Sequence, residues 1–367
     1  MSDALSSEDS FRLQVLLAQD VKAVRLDESA MKLYALTSQG EASILLMPNC
    51  RPDRYLRLVR EQLSGHALDS PGGYPVYLSR WTRHGQVESL NLGKLLLTGE
   101  PEAVAAVVHS PGLTDELAEY AWWVHPSIEH AGLMLSREAV ARGSMGRVLA
   151  EFLAEHLPFL QEDHLSIMDA VAVLIYSRAL PQGRLEAIWK RGKRHGSYYV
   201  AFLEMAAENA TYALPAPTGA HLGYEQARAC LQPEIDARDA GSELLLRALC
   251  AQGQAFLSAA IEVLERPETQ EVVSRTLNAI GRYFAHAQDS VPLDADKVLS
   301  CHSCRAARDA VLRLAGSSEQ IVWQVFTRST AIGSLMRRKI EPVMAPLLAD
   351  MRLLCSATVC GMPGNNH

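Results

Sequence analysis

Two hydrophobic periods divide the chain. Between Val21 and Pro48 apolar and polar residues nearly alternate, in VKAVRL, MKLYALT and ASILLMP. Side chains on a strand point to opposite faces in turn, so this pattern predicts a small antiparallel meander. Asp27-Glu28-Ser29 and Ser38-Gln39-Gly40 supply its turns. A polar leader covers residues 1–10, and Phe11 to Leu17 reads as a short helix. After the meander, Pro52 opens a helix with Tyr55, Leu56, Val59 and Leu63 on one side. Asp69-Ser70-Pro71-Gly72-Gly73 is a turn, and Val76-Tyr77-Leu78 reads as a further strand.

From about Leu90 the period becomes helical and stays so. Ala103, Val104, Val107 and Val108 form one stripe behind Pro101, a residue suited to a first helical turn because its missing N–H has no partner there. Thr114 reads as the cap of the next helix, with Asp115 and Glu116 against the positive end of its dipole. Pro126 opens a third. Helices follow from Ser136, over Val148 to Leu160 with an interruption at Pro158, and over His164 to Leu180. Leu214 to Gly223 is a loop. Glu243 to Leu264 reads as one long helix, paired with another from Pro267 to about Ala287. The last helices are Ala307 to Leu314, Ile321 to Phe326 and Ile332 to Leu354. The expectation is a predominantly α, α+β protein in three parts. Residues 1–88 form a small strand-containing head, 89–215 an irregular or solenoid-like helical array, and 216–367 a C-terminal helical domain. No fixed repeat period runs through the helices.

A chain of 367 residues can bury a large core. Its net charge of −7 gives no general attraction for nucleic acid, though a local basic patch remains open. The acidic start MSDALSSEDSF lacks the basic and apolar segments of a secretory signal, and no apolar run approaches a bilayer span. Seven scattered cysteines then point to a reducing, cytoplasmic setting, with no membrane association expected.

Two stretches stand out chemically. Arg184, Lys190, Arg191, Lys193, Arg194 and His195 fall close together beside Trp189, Tyr198 and Tyr199, with Glu186 opposing them. Such a block can dock an anionic partner through carboxylate or phosphate groups, and exposed rings could stack on single-stranded bases. The plainer reading buries Trp189 and Tyr199 and leaves the charges solvated or paired with acids such as Glu204. The second stretch is Cys301-His302-Ser303-Cys304, at what reads as a helix start with Ser300 as cap. A helix N-terminus lowers a thiol pKa, so Cys301 is the candidate nucleophile and Cys304 its resolving partner. Cys355 and Cys360 could complete a zinc or iron–sulfur site with that pair, although their spacing is one residue wide. The plainest reading is ordinary thiols, and Cys50, Cys230 and Cys250 read as small buried residues. A carboxylate–histidine metal site among His125, His130, His156, His164, Glu129, Asp163 and Asp169 has no supporting spacing. Trp122 and Trp123 read as core or interface. No phosphate-binding, dinucleotide-binding or hydrolase motif is present, and no cofactor is expected.

Asn91 to Trp123, Phe152 to Leu160 and Trp189 to Glu204 resemble the DsrS family, encoded with the dissimilatory sulfite reductase genes of sulfur-oxidising bacteria. The resemblance implies a cytoplasmic accessory or regulatory protein associated with sulfur oxidation, with protein partners from that pathway or, less readily, a messenger RNA. It carries no catalytic residues across. The leading reading is therefore non-catalytic. The alternative is a thiol-dependent redox or sulfur-handling protein using Cys301 and Cys304, or a structural metal site with Cys355 and Cys360.

Overall fold

The computed structural model describes residues 5–68, 89–160, 163–209, 211–215, 219–236, 239–285 and 304–356. The described residues are 70% helical, with 18 α-helices and one three-stranded antiparallel sheet, the mostly helical α+β class that the two periods predict. Among the described residues every strand lies before Met47. The expected strand at Val76-Tyr77-Leu78 lies outside the described residues.

Backbone contacts divide the chain into two units, one of residues 1–156 with 176–179 and one of 157–175 with 180–367. The expected boundary near residue 215 falls inside the second of these.

The first unit begins with α1 (Ser7–Leu17), the meander β1 (Val21–Asp27), β2 (Lys32–Thr37) and β3 (Gly40–Leu45), and α2 (Pro52–Leu68). In register Val24 faces Ala35 and Ala35 faces Ala42. Period two buries Leu33 and Ala35 of β2 against Leu13, Leu16, Tyr55, Val59 and Leu63. The polar leader is shorter than the sequence suggests. Ser6 caps α1, and Asp9 is fully buried, its Oδ2 accepting from the Met47 amide at 2.7 Å and from the Tyr55 hydroxyl. A charged residue in a polar run reads as solvent-facing, and only the fold shows that this one ties α1 to α2 and to the exit of β3.

Six further helices of this unit lie among the described residues: α3 (Ser89–Leu95), α4 (Pro101–His109), α5 (Asp115–Val124), α6 (Ile128–Leu135), α7 (Glu138–Ala141) and α8 (Ser144–His156). Pro101 is the first residue of α4, and the Thr114 hydroxyl accepts from the Leu117 amide at 3.2 Å as a cap should. The third helix of this stack starts later than Pro126, with Ser127 capping it through the His130 amide. Gly99 turns the chain at φ +68°, and a side chain there would meet Leu26 at 2.9 Å.

The second unit contains a short 3₁₀ turn (Leu157–Leu160), then most of α9 (His164–Ser177), followed by α10 (Gln182–Arg191), α11 (Ser197–Glu208), α12 (Tyr224–Asp236), α13 (Ala240–Leu249), α14 (Ala251–Glu265), α15 (Gln270–Ala285), α16 (Arg305–Ala315), α17 (Gln320–Phe326) and α18 (Gly333–Cys355). Its core joins α11 to α14 and α15, and α16 to α13, α15 and α18. The long helix expected over Glu243 to Leu264 is two helices bent by 76° at Cys250. The Cys250 sulfur accepts from the Gly253 amide, and a Cβ on Gly253 would lie 2.0 Å from the Arg247 carbonyl. A continuous apolar period hid this break, because both halves bury the same kind of face. Among the described residues no single helix is long and apolar enough to cross a membrane.

Candidate functional site

The basic block forms the corner between α10 and α11. Leu185, Ile188 and Trp189 form the buried side of α10, and turns through the Arg191 carbonyl carry the chain round to α11. The corner is tight for a physical reason. Trp189 packs on Tyr199 with ring centroids 4.4 Å apart and on Phe202 at 5.2 Å. A Cβ on Gly192 would lie 2.4 Å from the Tyr199 ring, so only glycine fits beside it. The Gly196 amide donates to Glu268 Oε1 at 2.7 Å, which fastens the start of α11 to the segment before α15.

The polar and apolar parts of the block separate cleanly. Trp189, Tyr198 and Tyr199 are buried, at 7%, 4% and 2% exposure. Tyr198 donates to the Leu157 carbonyl, and burial, aided by Glu262, pushes the Tyr199 hydroxyl well above its ordinary pKa. These rings are core, as the plainer reading had it, and offer no platform on which bases could stack. Lys190, Lys193, Arg194 and His195 are exposed, and Arg191 is half-buried with Nη1 unpartnered. Among the described residues Lys190, Arg191, Lys193 and Arg194 make no ion pair. Arg184 is also exposed but engaged elsewhere. Glu204, the acid expected to neutralise them, is taken by Arg275 instead, at 2.7 and 2.8 Å. Lys190 and Arg191 lie in the last turn of α10, where the helix dipole favours positive charge. The corner thus rests on buried rings and presents Lys190, Arg191, Lys193 and Arg194 with no ion pair to an acid among the described residues.

The cysteine stretch is described only in part. Cys301 lies outside the described residues, as does Cys360. Cys304 is fully buried at the N-cap of α16, so it is not a thiol that a substrate in solution could reach. Cys355 is exposed as a residue, yet desolvation of its thiol pushes the pKa up to about 11, the opposite of an activated nucleophile. The thiol and metal alternatives therefore turn on Cys301 and Cys360. Cys50, Cys230 and Cys250 are half-buried rather than fully so.

The histidines have structural partners. His130 Nδ1 contacts the His125 carbonyl at 3.0 Å, His156 Nδ1 the Phe152 carbonyl at 2.8 Å, and His164 Nδ1 the Ser197 hydroxyl at 3.3 Å. Asp169 pairs with Arg275 at 2.6 Å, and Asp163 caps α9 through Ser166. No group of three or more metal-ligating side chains gathers among the described residues. Trp122 packs edge-on against Phe152, while the Trp123 indole donates to Glu41 under the Arg25 guanidinium.

One cationic surface escaped the sequence reading. Arg337-Arg338-Lys339 opens α18 beside the exposed side chains of Ile332 and Leu335. The signal was the three-residue basic run, hidden within a stretch read only as a terminal helix.

Comparison of the chain with family models, with curated proteins and with solved structures finds no match.

Proposed function

We propose that this chain is a non-catalytic accessory or regulatory protein that docks an acidic protein partner on the corner between α10 and α11. The supporting observation is the set Lys190, Arg191, Lys193 and Arg194, which makes no ion pair among the described residues and rests on buried Trp189 and Tyr199. Unpaired surface cations do little for folding, whereas opposed to carboxylates of a partner they steer encounter and fix register. The burial of the rings, which leaves no surface for bases to stack on, favours a protein partner over RNA.

By its resemblance to the DsrS family, the partner would belong to cytoplasmic sulfur oxidation. The test is binding of the purified products of the sulfite reductase gene cluster, and of messenger RNA from it, to wild type and to K190Q/R191Q/K193Q/R194Q. The proposal expects one acidic protein to bind wild type in a salt-sensitive way and the variant at least about tenfold more weakly. Equal binding of wild type and variant to every ligand captured removes the corner as a docking site.

A further inference from the structure

A shallow cleft of about 510 Å³ runs between the end of α14 and one face of α18. Its floor is apolar, made by Leu264, Ile340 and Met344, all nearly fully buried, with Leu348. Its rim is cationic. Arg338 is exposed with no ion pair among the described residues, Arg337 donates to the Pro267 carbonyl at 3.4 Å, and Arg352 holds Glu265 at 2.7 Å. With Glu265 already engaged, Glu341 is the remaining acid of the lining. The lining positions run from Ser334 to Arg352, roughly 27 Å of helix at 1.5 Å per residue. A groove of that length suits a helix of several turns better than a small molecule.

The surroundings extend the same chemistry. Ile332 is 70% exposed and Leu335 51%, flanking Ser334 at the mouth of the cleft. Arg328 and Lys339 add exposed cations, Lys339 donating to the Ser329 hydroxyl. The Gln270 amide holds the Ser329 and Ala331 carbonyls at 2.8 and 3.1 Å. Glu268, which fastens the basic corner through Gly196, lies two residues away, no more than about 7 Å along the chain. One short segment thus anchors both cationic surfaces.

We infer that this cleft is a second docking site, taking an acidic amphipathic helix of a protein partner. Apolar anchors one turn apart would lie on Leu264, Met344 and Leu348, with carboxylates on Arg337 and Arg338, the helix-in-groove mode of recognition. An RNA would leave the apolar floor unused.

The probe is a fluorescent glutamate–leucine peptide with helical amphipathic spacing, and its scrambled form is the control. Arg338→Glu reverses an exposed, unpaired charge, and Ala345→Trp fills the cleft from an exposed lining position, so neither should disturb folding, which thermal unfolding checks. The amphipathic peptide should bind the full chain, and each substitution should weaken it by about tenfold or more. A lysine-for-glutamate peptide should bind Arg338→Glu better than wild type. K190Q/R191Q/K193Q/R194Q should retain the peptide, which separates this site from the corner. Equal binding of the scrambled peptide, indifference to both substitutions in folded protein, or equal competition by polyuridine would overturn the inference. Self-association abolished by the same substitutions would also overturn it, by assigning the cleft to a second copy.

Discussion

Arg275 and Arg194 carry the same guanidinium in the same unit of the protein, and their surroundings differ in nearly every respect. Arg275 is clamped by Glu204 through two nitrogens and by Asp169 through a third, at 2.6 to 2.8 Å. These hydrogen bonds raise its pKa against the opposing effect of burial. It joins α9, α11 and α15. Arg194 lies in the open at the α10–α11 corner and makes no ion pair among the described residues. Paired charge serves the fold, and the cost of removing one partner falls on stability. Unpaired charge leaves stability almost untouched and is available to something outside the chain.

The comparison breaks first at the aromatic platform under the corner. Trp189→Ala removes a buried ring packed on Tyr199 and Phe202, and should cost about 3–5 kcal/mol by denaturant unfolding. A cost below about 1 kcal/mol would mean that the ring is not core and that the separation of apolar support from exposed charge is wrong.

Arg275→Ala comes next. It leaves Glu204 with little of its side chain exposed and unpaired, and should cost about 2 kcal/mol, discounted because Arg275 itself is only partly buried. Arg275→Lys should recover part of this but not all, since an ammonium cannot reproduce the two-point contact with Glu204.

Asp163 sharpens the comparison from the acidic side. It caps α9 by accepting from the Ser166 amide and hydroxyl, and these bonds hold its pKa below the ordinary value. Asp163→Ala should cost about 1 kcal/mol at neutral pH. A depressed folded pKa means that the unfolded chain takes up the proton first on acidification. The contribution of Asp163 is therefore complete above the unfolded pKa, about 4, and is lost as the pH falls through the folded value. The difference between wild type and variant should shrink in that window. A difference that stays constant into strong acid would show that the charge is not what caps the helix.

How far the sequence discloses this arrangement depends on whether local pattern or tertiary contact decides. The meander at Val21–Leu45 and the starts of α4 and α5 follow from alternation, Pro101 and Thr114, all local features. The break at Cys250 and the burial of Asp9 do not, because each depends on partners chosen by packing. The basic block was legible as a cluster. Which of its neighbours would neutralise it was not, since Glu204 has its charge turned to Arg275 by the pairing of α11 with α15. The cleft along α18 is built from α14 and α18, residues some seventy positions apart in sequence, and no window of sequence contains both sides.

The thiols present a smaller effect. Desolvation raises Cys355 to about 11, so alkylation of this residue in folded protein at pH 8 should run roughly a hundredfold slower than for an ordinary cysteine. Mass spectrometry of the labelled peptides measures this directly, and a fast Cys355 would show that its thiol is not desolvated.

Whether the corner's cations serve a partner is read from the salt dependence of binding. Binding of a poly-glutamate peptide is measured across a series of salt concentrations, for wild type and for K190Q/R191Q/K193Q/R194Q, alongside the unfolding free energy of each. Wild type should show a steep salt dependence and the variant a markedly flatter one, with stabilities that differ by no more than about 1 kcal/mol, the helix-dipole share of Lys190 and Arg191. Equal salt dependence, or a variant that loses stability in place of binding, would contradict a role in docking.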